Sequence, residues 1–419
     1  MTRRPALLFR ADASHGIGFG HVARLASLIE ELAALGPHGA DPIAMFGGES
    51  TLVGWLANYG ILATTDPFAT AAPTALHLPV NENSAGRRAS TATEHLGISD
   101  RDRSADRSVD RDRTGERTPI RRFATSDDLT PSVAAIRSWT TDDVIAAASD
   151  SNVRAVVIDG PPLAEALVPA LDARGIRTIV LDDRGDCMLP ADLVINHNHH
   201  APGLAGSYPK ARRLLLGRKY LMLRRTLRRL GRGACFAGRS VTRASAARLR
   251  VAISFGGSDP VGATVRTLRM LPSDRPLHVV AIAGPGFRDG DALYAAAYAA
   301  IANGHSVEIV EAPDEPGEVF ATAHAAICSA GGTLGELAYL GCPAFACAIT
   351  PDQIIGARVQ VLEGLIAGGG NWAELSDDKL RAELRTFLAD DARRNELAAR
   401  ALATTDGEGP RRILTDLLG

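Results

Sequence analysis

The sequence predicts an α/β protein of two consecutive doubly wound, Rossmann-like lobes. Three observations carry this. Short apolar runs ending in polar residues alternate with longer runs of helical period; the alternation starts afresh near residue 249 after a basic, irregular stretch; and a glycine-rich turn follows the strand that opens each series. The length of 419 residues agrees, since one hydrophobic core rarely serves more than about 300 residues. A single open sheet would need about ten parallel strands, near the limit for twisted sheets.

Residues 6–9 are predicted to form a buried strand. Gly16, Gly18 and Gly20 then break the chain, and an apolar-periodic run over 22–35 predicts a helix. A strand over 42–46 and a helix over 50–59 repeat the alternation. Over about 84–130 the periodicity vanishes, and the run from Arg101 to Arg113 mixes opposite charges with almost no apolar residues. Such a segment cannot bury a core and is expected to be a disordered insertion in the first lobe; a charged helix is the alternative, weakened by its Ser, Asp and Thr content.

Ordered patterning resumes with a helix over 142–148 and strands over 155–158, 178–181 and 193–195. Their polar ends are Asp159, Asp182-Asp183 and Asn196-His197-Asn198. Ligands of open parallel sheets gather at the carboxyl ends of strands, so these are candidate cleft residues. The expected boundaries are a first lobe over 1–216, a linker over 217–248 and a second lobe over 249–419. The second lobe has strands predicted over 249–255, 279–283, 307–310, 325–328 and 343–346, with a helix from about Val261.

Composition excludes several classes of function. With 46% apolar residues, 22% charged residues and a net charge of −2, nothing draws the whole chain to nucleic acid or to a membrane surface. No window is long and apolar enough for a signal peptide or a membrane span. Cys187, Cys235, Cys328, Cys342 and Cys347 are scattered and odd in number, which fits a reducing cytoplasm and suggests neither a disulfide framework nor a zinc site. His197, His199 and His200 lack a carboxylate at ligand spacing, so no metal is expected.

Three segments carry chemistry. In the first, Arg10 to Arg24, dense glycines let a ligand approach the backbone, and His21 at the end of the turn would reach the cleft with a side chain suited to proton transfer. His21 could equally cap or edge-pack its helix. In the second, Ser254-Phe-Gly-Gly-Ser-Asp259, Gly257 and Ser258 would admit a diphosphate, or simply form a tight turn. In the third, Ala325 to Ala338, Gly331, Gly332 and Thr333 open a helix and could cradle phosphate, while Glu336 could accept from ribose hydroxyls or merely complement the helix dipole.

Taken in order, these segments resemble one family. Arg-Ala-Asp-Ala-Ser followed by Ile-Gly-Phe-Gly-His-Val-Ala-Arg24, Asp182-Asp183, Asp192-Leu-Val-Ile-Asn196, Gly217-Arg-Lys-Tyr-Leu-Met-Leu-Arg224, Ser254-Phe-Gly-Gly-Ser-Asp259 and Ala-Gly-Gly-Thr-Leu-Gly-Glu336 resemble the pseudaminic-acid-pathway UDP-sugar hydrolases. The likeness spans nearly the whole chain outside the insertion. It implies a GT-B fold related to that of the lipid-II-forming N-acetylglucosaminyltransferase, with a cleft between the lobes.

The implied reaction is hydrolysis of UDP-2,4-diacetamido-2,4,6-trideoxy-β-L-altropyranose, or a close relative, to free sugar and UDP in nonulosonic acid or surface polysaccharide biosynthesis. His21 would activate the water. Arg10, Asp12, Gly18, Gly20, Arg24, Asn196, Tyr220 and Arg224 would meet the sugar side, and Gly257, Ser258, Gly331, Gly332, Thr333, Glu336 and Gln353 would hold UDP. No cofactor is implied. The chain departs from the family at Gly160-Pro161-Pro162, Gly335 and Asp352, which bears on the choice of sugar. A GT-B glycosyltransferase and a non-catalytic nucleotide-sugar-binding protein are the competing readings. The first would need an acceptor surface; the second would have no use for His21.

Overall fold

In the computed structural model the described residues are 5–13, 20–36, 39–48, 56, 61–64, 132–136, 138–235 and 248–419. The 84–130 insertion, Gly18 and most of the helix expected over 50–59 lie outside them. The chain opens with β1 (Ala6–Ala13), α1 (Gly20–Ala34) and β2 (Asp41–Gly48). Then come β3 (Ile61–Thr64), β4 (Ser132–Ile136), α2 (Thr141–Ala148), β5 (Val153–Asp159), α3 (Pro161–Asp172), β6 (Thr178–Leu181), β7 (Leu193–Asn196) and β8 (Leu214–Leu216).

These eight strands form one parallel sheet in the order β3-β4-β2-β1-β5-β6-β7-β8. The chain leaves β1 toward β2 and later returns to the other side of β1 as β5. The β1/β5 boundary is therefore the topological switch point, where the crevice at the carboxyl edge opens. Leu7, Leu8 and Phe9 are fully buried between helices on the two faces, each worth about 1.5–3 kcal/mol relative to exposure.

A short helix, α4 (Arg225–Arg229), lies in the connection to the second sheet. The second series is β9 (Leu249–Ser254), α5 (Ala263–Met270), β10 (Leu277–Ala283), α6 (Gly290–Ala302), β11 (Ser306–Glu311), α7 (Pro316–Thr322) and β12 (Ala325–Ser329). It continues with α8 (Thr333–Leu340), β13 (Ala344–Ala348), α9 (Gln353–Leu362), β14 (Ala367–Asn371), α10 (Asp377–Ala389), α11 (Asp391–Ala403) and α12 (Gly409–Leu418). Its parallel sheet has the order β11-β10-β9-β12-β13-β14 and switches direction between β9 and β12. The predicted two-lobed α/β class is what the chain adopts.

Differences from the sequence reading are local. β3, β4, β8 and β14 were not expected: the first pair flanks the charged stretch, β8 is three residues long, and β14 is Ala-Gly-Gly-Gly-Asn, a composition that normally disfavours a strand. The second-lobe helix starts at Ala263 rather than near Val261. Gly160-Pro161-Pro162 has a structural account: Gly160 sits at φ +118°, open only to glycine, and the prolines supply the fixed φ of a first helical turn. Gly335 on α8 lies against Leu221, whose methyls would be 2.8 Å from a Cβ there.

The final helix does not stay with the second sheet. α12 returns to the first lobe, where Ile413, Leu414 and Leu417 join the core containing Leu25, Leu28 and Leu32 of α1. Gly409 begins it because the chain passes so close to the Leu221 carbonyl that a Cβ would sit 2.1 Å from that oxygen.

Candidate active site

α1 presents His21 and Arg24, three residues apart, on one face toward the tips of β5 and β6. Asp159, the last residue of β5, has a fully buried side chain on which both converge. His21 Nδ1 lies 2.6 Å from Asp159 Oδ1, while Arg24 Nε donates to Oδ2 at 2.9 Å and Arg24 Nη2 to Oδ1 at 2.8 Å. Arg24 Nη1 also binds Asp183, beyond the tip of β6.

The tautomer of His21 follows from these contacts. Arg24 Nη2 is 2.7 Å from His21 Nδ1, and a guanidinium has only hydrogens to give; Asp159 and Asp183 engage three of its five. An unprotonated Nδ1 would set its lone pair against the carboxylate at 2.6 Å. With Nδ1–H donated to Asp159, the shorter of the two contacts, Nε2 is the acceptor that can take a proton. The His21 side chain is 23% exposed, so it meets the crevice while its carboxylate is sealed.

Electrostatics reinforce the cluster. Burial alone would push the Asp183 carboxyl up, yet the Arg24 guanidinium outweighs it and holds Asp183 well below the usual carboxylate range. Burial would likewise lower Arg24, but Asp159 and Asp183 raise it, so the guanidinium stays charged. His197, just past β7, is buried and brought down to about 4 by desolvation first and Arg24 second.

The other residues assigned to the sugar side divide. Gly20 is the first, exposed residue of α1. Arg10 is buried within β1, its Nη1 donating to the Ala11 carbonyl at 2.6 Å and pairing with Asp12. Asn196 is committed to structure, since its Nδ2 donates to the Tyr208 hydroxyl at 2.9 Å and its Oδ1 accepts the Asn198 N–H at 3.0 Å. Tyr220 packs against the first-lobe core with Lys219 Nζ 5.0 Å from its ring centroid. Asp182 is used by its own turn, accepting from the N–H groups of Arg184 and Gly185. Arg224 points to the second lobe, where Nη2 meets Glu336 Oε1 at 3.0 Å and Glu315 Oε1 at 3.1 Å.

In the second lobe the glycine turns leave the paired tips of β9 and β12, neighbours in register at Ser254 and Cys328 and so about 5 Å apart. Gly256 adopts φ +87° and Gly257 lies beyond it. At the start of α5, beyond Ser258, Asp259 accepts from the N–H groups of Ala263 and Thr264 at 2.8 Å each, so that helix start is occupied. α8 differs, for no side chain caps its start at Gly332, which is exposed. Gln353 stands over the turn, with Nε2 3.3 Å from where a Gly331 Cβ would be and Oε1 accepting the Ile349 N–H at 3.1 Å. Burial first, opposed by Arg224, raises the Glu336 carboxyl.

Asp159 and Asp183 were marked from sequence as candidate cleft residues without a role, and Glu315 was not marked. Asp159 and Asp183 stand at strand tips already marked as polar, but nothing in the sequence pairs them with a helix 135 or more residues earlier. The three histidines after β7 diverge: His197 is buried, His199 Nε2 contacts Glu363, and His200 Nδ1 lies against Gly356. Among the described residues no cluster of His, Cys, Asp or Glu is placed to hold a metal ion. A separate cavity of about 300 Å³ between α1 and α12, lined by Leu35, Leu414 and Leu418, lies away from this chemistry.

Solved structures share this architecture along the whole chain. MurG of Acinetobacter baumannii matches with a TM-score of 0.57 at 14% identity, covering 99% of each chain. The fold is GT-B. UDP-GlcNAc 2-epimerase of Neisseria meningitidis, bound to UDP-GlcNAc, matches at 0.56 and 11%, covering 99% of each chain. A ugt transferase of Siraitia grosvenorii in complex with UDP matches at 0.53 and 12%, covering 99% of this chain and 100% of its own. No protein-family model and no curated protein matches the sequence. Among the described residues no helix is long and apolar enough to cross a membrane.

Proposed function

We propose that the chain is a cytoplasmic, metal-independent hydrolase of a UDP-linked deoxy-diacetamido sugar, of the UDP-2,4-diacetamido-2,4,6-trideoxy-β-L-altropyranose type, releasing UDP and free sugar. The observation that carries the reading is the His21–Asp159 pair at the switch point of the first sheet: an imidazole whose one nitrogen is held by a sealed carboxylate and whose other nitrogen has no hydrogen-bond partner among the described residues. That is the equipment of a general base, which typically contributes about 10²–10⁴-fold.

The second half of the reading concerns the nucleotide. The GT-B relatives in fold include proteins bound to UDP-GlcNAc and UDP, which supports a nucleotide-sugar ligand. The uncapped start of α8 with Gly331, Gly332 and Thr333 is suited to a diphosphate, with Gln353 beside it. Gly257 and Ser258 follow the tip of β9, the strand beside β12, and are assigned to the same diphosphate, while Glu336, steadied by Arg224, is assigned to ribose hydroxyls. UDP is a good leaving group, so an oriented water, a base and donors to the departing diphosphate suffice.

The test is incubation of the protein with a panel of UDP-deoxyamino sugars, with and without sugar or lipid acceptors, followed by NMR. The expected result is UDP and free sugar without any acceptor. Turnover that requires an acceptor moves the assignment to a glycosyltransferase, and binding without turnover to a nucleotide-sugar-binding protein.

A further inference from the structure

His197 has no task in the mechanism above, yet it sits at its edge. It follows β7 directly, so Asp159, Asp183 and His197 stand at or just past three neighbouring strand tips, β5, β6 and β7, of one carboxyl edge. The Asn196 amide shapes its turn by accepting the Asn198 N–H, and Asn198 Nδ2 donates to the Asp183 carbonyl at 3.1 Å. The ring is 8% exposed, and its Nδ1 is buried with no hydrogen-bond partner among the described residues.

Native structures leave few buried polar atoms unpaired, so such an atom beside a crevice calls for an explanation. His305 offers a contrast. Its Nε2 is also unpaired, but its Nδ1 accepts the Leu277 N–H at 3.2 Å, and it lies at the amino end of the second sheet, remote from the ligand edge. That histidine has a structural role, whereas among the described residues no side-chain or backbone contact of this kind accounts for His197.

We propose that His197 is a further substrate-contacting residue that hydrogen-bonds an acetamido group of the sugar. The assignment rests on the reading of the chain as a UDP-sugar enzyme. The charged groups around it are Arg24, Asp183, Asp159 and Arg218; burial and Arg24 together keep the ring uncharged at neutral pH. A neutral imidazole can give one hydrogen bond to an amide carbonyl or accept one from an amide N–H, and it gives no preference to an anion. A charged neighbour such as Arg24 could not make that distinction. The diphosphate, at the other lobe's glycine turns, is outside its reach in this scheme.

The experiment uses the full chain and two ligands, UDP and a non-hydrolysable UDP-C-glycoside of the diacetamido sugar, with calorimetry on the parent, His197→Leu and His197→Gln. The expected result is a loss of about tenfold or more in analogue affinity for His197→Leu, partial recovery in His197→Gln, and unchanged affinity for UDP. In the parent, the His197 ring nitrogen resonances should shift on adding the analogue and stay fixed on adding UDP. Equal loss for both ligands, or no loss, overturns the assignment. So does a ring that ignores a bound analogue in the parent, which holds even if the Leu variant fails to fold. A parent that binds UDP but not the analogue, or neither, overturns the nucleotide-sugar reading and this assignment with it.

Discussion

At Asp159 three donors, Nδ1 of His21 with Nε and Nη2 of Arg24, converge on one buried carboxylate. Replacing it with Asn would present an N–H to His21 and favour the tautomer whose Nε2 is protonated and unable to act as base. Asp159→Asn and His21→Asn should therefore each lower single-turnover UDP release by about 10²–10⁴-fold while leaving UDP affinity unchanged. Activity within a few-fold of the parent in either variant removes the pair from the mechanism. His197 supplies a second expectation at this scale. The unfolded chain takes up its proton near pH 6.5, whereas the folded ring does so only near 4, so acid favours unfolding between those values. Its contribution is complete above pH 6.5 and is lost on descending to pH 4, roughly 3 kcal/mol in all. The Asp183 contribution disappears only below the ordinary carboxylate range, in a separate window. Denaturation midpoints of His197→Gln at pH 7.5 and 4.5 should differ less than those of the parent; an identical difference refutes the burial argument.

At the scale of elements, α1 ties the site to the junction between lobes. Its first turn carries His21 and Arg24; near its other end, Glu30 Oε2 accepts the Arg225 N–H at 3.1 Å and Glu31 pairs with Arg228, both on α4. The next residue back, Arg224, is the one that grips Glu336 and Glu315. Burial raises the Glu30 carboxyl to about 7 against the pull of the nearby arginines. Its sign is opposite to that of His197: the folded state takes a proton below about 7 and the unfolded state only near 4.3, so Glu30 opposes folding above neutrality. Glu30→Gln keeps the carbonyl acceptor and removes the buried charge. It should raise the melting temperature relative to the parent at pH 8 and match it near pH 4.5, which a melting series in two buffers will decide. Much at this scale was legible. β1, α1, β5, β6 and β7 follow apolar runs whose polar ends announce the edge of the sheet. Arg224 was found through its motif, but its ion pairs with the second lobe were not legible there, because a motif records order along the chain and not which lobe a long side chain reaches. The protein contacts of Asn196 and Tyr220 were hidden in the same way: a hydroxyl twelve residues away meets the first, and the second packs on the first-lobe core.

For the whole molecule, the two doubly wound sheets were evident from the repeated alternation, but the path of the last helix was not. The amphipathic pattern of α12 states that one face is buried and says nothing about which core buries it. In the structure Ile413, Leu414 and Leu417 are at most 4% exposed and lie among first-lobe residues. Polar contacts accompany them: Arg213 pairs with Asp416, Arg177 Nη1 donates to the Leu417 carbonyl at 3.3 Å, and Arg412 Nη1 donates to the Lys219 carbonyl at 2.9 Å. The consequence is that the first lobe needs the final segment of the chain. Truncating a single buried leucine to alanine costs about 2–5 kcal/mol, so losing three such side chains at once exceeds much of the roughly 5–15 kcal/mol that holds a domain folded. A fragment of residues 1–216 should therefore fail to show a cooperative thermal transition, and the full chain cut before Gly409 should lose first-lobe amide protection while the second sheet retains its own. Adding the 409–419 peptide in trans to that truncated chain should restore part of the protection around α1 and β1. Hydrogen exchange followed by mass spectrometry reads both effects, and a 1–216 fragment that melts as sharply as the intact protein would show that α12 adds little to the first lobe.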